Sequence, residues 1–209
     1  MDMASDKRKH DFFDSVKLRS GGVYLVLEER TDLALRMFED TVNKDHSMGA
    51  DAGIGVEGSE GVGGMSGGFA VNGGGAIGGL EKRLEGLLIT RNYPLEIRSE
   101  YSLARVPMIW LTTNMNTKEK AINPSSITRL NMAVIEFMES AKRGLILMDC
   151  LEYLVTQNNF DTVLRLLQSW NDRLVGTKIS ILISLDPLTL TLQQLHLLKK
   201  EMQDVLVID

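Results

Sequence analysis

Apolar positions fall along this chain in short runs separated by helical stripes. Val23 to Glu28 (VYLVLE) is dense in β-branched and aromatic residues and predicts a strand. Thr31 to Asn43 then carries Leu35, Phe38 and Val42 at helical spacing, with Thr31 placed to cap. Leu87 to Thr90 (LLIT) predicts a second strand, and Pro94 to Tyr101 a short helix with proline in its first turn. Met108 to Leu111 (MIWL) is a third strand. Asn123-Pro124 leads into a helix whose face carries Ile127, Leu130, Val134, Phe137 and Ala141. Leu145 to Met148 is a buried central strand ending on Asp149, followed by a short turn. Asn159 caps an amphipathic helix with Val163, Leu164, Leu167, Trp170 and Leu174 on one face. Lys178 to Leu185 is a strand, Leu192 to Met202 a helix, and Val205 to Ile208 a last strand. Strands that alternate with helices predict an α/β fold: a mostly parallel sheet of about five or six strands, covered by helices on both faces.

One stretch breaks this rhythm. Fourteen of the nineteen glycines lie between Gly49 and Gly79, and neither period survives there. Glycine loses the most backbone entropy on ordering, so the tract is expected to be a flexible, disordered insertion. The expected organisation is a polar tail over 1–15 and a single domain over 16–209, interrupted at 49–79.

The 209 residues suffice for one sizeable core. A net charge of -5 disfavours nucleic acid as the main partner, because phosphate binding needs a positive footprint. Lys7-Arg8-Lys9-His10 is a basic run in a polar start and reads as solvated tail. The single cysteine, Cys150, rules out an internal disulfide and fits a reducing cytoplasm. The N-terminus lacks the apolar stretch of a secretory signal, and no apolar run is long enough for a membrane span. Of the eleven methionines, those inside periodic segments, such as Met108, Met132, Met138 and Met148, read as core filler, as do Trp110 and Trp170.

In open parallel sheets, ligands bind beyond the carboxyl ends of the strands. Those ends carry Glu28 and Glu29, Thr90 and Arg91, Thr112 and Thr113, Asp149 and Glu152, and Ser184 and Asp186. A strand ending in Asp149 suggests the metal-holding acid of a nucleotide site. The companion phosphate loop, GxxxxGK[ST], is missing. The first strand runs instead into Glu28-Glu29-Arg30-Thr31-Asp32, whose acids repel phosphate. Two GxGxxG matches, Gly53–Gly58 and Gly73–Gly78, are products of glycine density and lack the strand and acid of a dinucleotide site. Cys150 beside Asp149 lacks the positive neighbourhood of a nucleophile. His10, His46 and His196 are too scattered to form a metal set, so no cofactor is assigned.

The ordered motifs GVYLVLEE, GLLITRNYPLEIRSEYSL, VPMIWLT, INPSSITRL, GLILMDCLEYLVTQNNF and ISLDPLTL resemble the archaeal domain-of-unknown-function family 835. The resemblance spans Val16 to Met202 apart from the Gly-rich insertion. That insertion departs from the family pattern, as does Cys150, where the family has glycine. The resemblance implies a cytoplasmic archaeal domain whose core is a degenerate relative of P-loop or RecA-like folds, with no activity to transfer. It marks Thr90, Arg91, Pro94, Arg98, Trp110, Asp149, Glu152, Tyr153 and Asn158 as residues of a shared site or of the fold signature.

The expected function is a non-catalytic regulatory or interaction domain on a pseudo-nucleotide-binding scaffold, with a protein partner in signalling. The alternatives use the acidic strand ends. In one, Asp149 and Glu152 hold a divalent metal while Arg91 and Arg98 clamp an anionic substrate. In the other, the domain senses a small anion without turnover.

Overall fold

The computed structural model describes residues 20–29, 32–48 and 84–207, with no side-chain description for 45–48. The polar tail, the Gly-rich tract, Thr31 and Ile208 lie outside the described residues. Seven strands form one sheet: β1 (Val23–Leu27), β2 (Glu85–Thr90), β3 (Met108–Leu111), β4 (Ala121–Ile122), β5 (Gly144–Met148), β6 (Ile179–Leu185) and β7 (Asp204–Val207). Their spatial order is β4-β3-β2-β5-β6-β1-β7, and every pairing is parallel. The strand beyond the five or six expected is β4, a two-residue edge strand on β3.

Six helices are present among the described residues: α1 (Leu33–Met48), α2 (Pro94–Glu100), α3 (Ile127–Ser140), α4 (Leu151–Gln157), α5 (Phe160–Leu174) and α6 (Leu192–Glu201). Strand residues alternate between two cores, as the two-residue period of a strand requires. Tyr24, Val26, Leu88, Leu145, Leu147 and Leu182 pack with Phe38 and Val42 of α1 and Ile97 of α2. Val23, Leu25, Ile89, Ile146, Met148 and Ile183 pack with Leu130 of α3, Leu154 of α4, Trp170 of α5 and Leu198 of α6. The helices therefore divide two against four across the sheet.

The β2–α1 contact is close. A Cβ at Gly86 would lie 3.0 Å from Cζ of Phe38 and 3.1 Å from Cγ2 of Val42. Gly86→Ala is expected to lower stability by about 1–2 kcal/mol through overpacking. A urea unfolding curve with an unchanged midpoint would contradict this.

Two local readings change. The turn expected after Asp149 is helix α4. It stops where the Asn158 side chain donates to the carbonyls of Leu154 (2.8 Å) and Pro124 (3.1 Å), and Asn159 then caps α5 by accepting from the Thr162 amide at 2.8 Å. One of the expected core methionines, Met132 on α3, is exposed (65%). Trp170 is fully buried, its indole N–H donating to Oδ1 of Asn131 at 2.8 Å. Trp110 lies inside β3, between β2 and β4 and near the strand's carboxyl end, but is only half-buried.

Candidate functional site

The strand order reverses direction between β2 and β5. From β2 the chain crosses by α2 to β3 on one side. From β5 it crosses by α4 and α5, on the opposite face, to β6 on the other side. Diverging connections of this kind open a crevice at the carboxyl ends of the two strands, the usual ligand position in such sheets. Thr90 ends β2 and Asp149 follows β5, so both stand at this switch point.

The two side chains are joined. Thr90, wholly buried, donates its hydroxyl to Oδ2 of Asp149 at 2.8 Å and accepts the Asn92 amide at 2.9 Å. The other oxygen, Oδ1 of Asp149, is shielded from solvent and has no hydrogen-bond partner. A charged carboxylate in that position is poorly solvated. Burial pushes the Asp149 carboxyl up to about 7; the Thr90 hydroxyl and the Arg91 backbone amide oppose this, and the nearby Glu152 charge adds to it.

Arg91 does not neutralise Asp149. It is exposed, and its guanidinium carbon lies 4.3 Å from the centroid of the Tyr153 ring in α4, a cation–π contact between the β2 exit and that helix. The Trp110 indole N–H donates to the Arg91 carbonyl at 2.9 Å, and the Tyr93 ring meets Trp110 edge-on with centroids 5.1 Å apart. The exit from β2 is thus held by Thr90 from beneath and by Trp110 from the side.

The remaining candidates serve other contacts. Glu152 turns toward β6 and accepts the Asp186 amide at 2.8 Å; burial raises its pKa, and that hydrogen bond partly offsets the rise. Asp149 and Glu152 therefore bond to opposite neighbours of β5. Arg98 forms an ion pair with Glu119 at 3.2 Å, tying α2 to the loop after β3, so the two arginines have different partners. Asn158 ends α4. Pro94 is buried at the start of α2. Cys150 is buried, its thiol facing the Ile89 carbonyl at 3.5 Å, and burial beside two acids raises its pKa well above the ordinary value. Among the described residues no group of three or more His, Cys, Asp or Glu side chains is placed to share a metal ion, and no helix is long and apolar enough to cross a membrane.

The turn after β1 holds a feature that motif reading missed. The Glu28 carboxylate accepts the Leu33 amide at 2.9 Å, the Ala34 amide at 3.2 Å and the Ser184 hydroxyl at 2.6 Å. A side chain of the chain itself thus occupies the α1 N-terminus, where a phosphate would sit in a nucleotide site. Burial raises the Glu28 pKa despite these three bonds. The sequence signal was an acid at a strand end five residues before a helix, outside the familiar capping-box spacing. Tyr93 was also missed; an aromatic beside Pro94 and two residues past Arg91 was its only mark.

A comparison with curated proteins gives no match. A solved structure of a protein from Pyrococcus horikoshii OT3 is similar, with a TM-score of 0.56 at 13% identity over 96% of this chain and 87% of that one, which is a likeness of fold. The model of one family, described as protein of unknown function (DUF835), matches residues 76–202. That match covers more than half of the chain, and the protein belongs to this family.

Proposed function

We propose that the chain is a non-catalytic regulatory or interaction domain of archaeal type, built on a nucleotide-binding-like scaffold that has lost its phosphate site. The observation carrying this reading is the Glu28 carboxylate on the Leu33 and Ala34 amides. A helix N-terminus attracts anions through its unpaired N–H groups and dipole. Here the protein supplies that anion covalently, so an incoming phosphate meets an occupied cap and a repelling charge. A cytoplasmic setting and a protein partner belong to the same reading, and the free, buried Cys150 is compatible with a reducing compartment.

Thermal melts with Mg-ATP and Mg-GTP at millimolar concentration test the proposal. The expected result is no shift beyond that of magnesium chloride alone, and no hydrolysis. Saturable stabilisation by a nucleotide, with turnover abolished by Asp149→Ala, would overturn it.

A second reading rests on the unpartnered Oδ1 of Asp149 at the switch-point crevice. In this reading Asp149, with Thr90 bonded to it and Glu152 and Arg91 on the neighbouring turns, responds to a divalent metal or a small anion. Melts with Mg²⁺ or Mn²⁺ and with inorganic phosphate separate the two readings. A saturable shift lost in Asp149→Asn supports the second.

A further inference from the structure

At the far edge of the sheet, β4 and α3 frame an open groove of about 500 Å³, lined in part by Ala121, Arg129, Met132, Ala133, Glu136 and Glu139. Three independent features of this groove fit one occupant. The first is its main chain. Trp110 N–H donates to the Lys120 carbonyl at 2.9 Å and Thr112 N–H to the Ile122 carbonyl at 3.1 Å, in register with Trp110 opposite Ala121. In a parallel ladder the intervening residue turns its N–H and C=O outward, so Ala121 presents both groups to the open edge.

The second feature is the charge order along α3. Arg129, Met132, Glu136 and Glu139 stand at i, i+3, i+7 and i+10, one stripe of the helix that borders the groove. It is basic at its start and acidic at its end. An identical helix laid antiparallel beside it brings Arg129 opposite Glu136 of the copy, with Glu139 one turn further along the same stripe.

The third is shape. Met132 is a long, exposed side chain beside the small Ala133. The two-fold register that pairs position 129 with 136 also pairs 132 with 133, seating each Met132 over the Ala133 of the other copy.

From these features we infer that the β4–α3 edge is a two-fold, self-complementary interface for a second copy of this chain. Ala121 pairs with Ala121 of the copy across the axis, exchanging both main-chain hydrogen bonds and joining the two sheets. The α3 helices pack antiparallel above them. Such an interface is isologous: each side offers what the other needs, and assembly stops at two. The inference is independent of the reading of Glu28 and Asp149, which lie at the carboxyl ends of other strands.

Sedimentation equilibrium of the full chain, from micromolar to hundreds of micromolar, tests it. The expected species has twice the 23.2 kDa chain mass. Arg129→Glu is expected to raise the dissociation constant at least about tenfold by placing like charges together. The combined Arg129→Glu, Glu136→Arg and Glu139→Arg variant, which reverses the whole stripe, is expected to restore dimerisation. Met132→Lys is expected to yield monomer. All these positions are surface positions, and an unchanged urea midpoint for the monomeric forms verifies that folding is intact. A wild-type chain that stays monomeric over the whole range overturns the inference. So does a dimer indifferent to Arg129→Glu and Met132→Lys, or one that the stripe reversal fails to restore.

Discussion

Asp149→Asn is expected to make this protein more stable at pH 8 by about 2–4 kcal/mol, and at pH 5 by less than half as much. The direction follows from proton binding. The Asp149 carboxyl ionises from 3.8 in its ordinary setting and near 7 when folded, with burial as the leading cause. Between those values the folded state keeps a proton that the unfolded chain has lost. Stability is therefore fully present below the lower value, falls as pH rises through the window, and reaches its floor above pH 7. The whole gap corresponds to about 4 kcal/mol as an upper figure. Asparagine is neutral at every pH, keeps an oxygen to accept from Thr90, and removes the window. Glu28 and Glu152 also have raised values and add their own decline with rising pH, so the informative quantity is the difference between wild type and variant. Urea unfolding of both proteins at pH 5, 6.5 and 8 measures it. Parallel pH profiles would show that Asp149 does not titrate in this window.

The same residue shows what was legible in the sequence. A run of five apolar residues ending in an acid forms a central strand for reasons that are local. It is buried on both faces, and the chain beyond it must turn polar. The strand–helix alternation and the faces of α1, α3 and α5 were legible for that reason: Leu35, Phe38 and Val42, or Leu130 and Val134, repeat with the helical period and are buried together. The two-residue strand β4 was not legible, since Ala121–Ile122 is too short for any period and sits between Lys120 and Asn123. Helix α4 ends through side-chain bonds of Asn158 to two carbonyls, one of them thirty-four residues earlier in the chain, which no local pattern encodes. The site divided in the same way. The strand ends could be named from sequence, but the partners could not. Thr90 bonding Asp149, Arg91 choosing Tyr153 over an acid, and Arg98 taking Glu119 depend on which strands are neighbours and which helices lie on which face.

Glu28→Ala is expected to destabilise the fold by about 2–4 kcal/mol, since one side chain satisfies two helix N-terminal amides and the buried Ser184 hydroxyl. Glu28→Gln keeps one carbonyl acceptor and is expected to lose roughly half as much. Urea unfolding at pH 7 orders the three proteins: wild type, then glutamine, then alanine. The alanine variant has a second use. It leaves the Leu33 and Ala34 amides without their built-in anion, and an exposed helix N-terminus binds anions. Inorganic phosphate is therefore expected to stabilise Glu28→Ala more than it stabilises wild type, with chloride at equal ionic strength as the control. If phosphate raises the stability of both proteins equally, Glu28 is not standing where a phosphate would go, and the reading of this scaffold as a nucleotide site closed from within loses its support. If only the variant responds, a single carboxylate separates this domain from an anion-binding one, and its present role must be sought in what binds its surface.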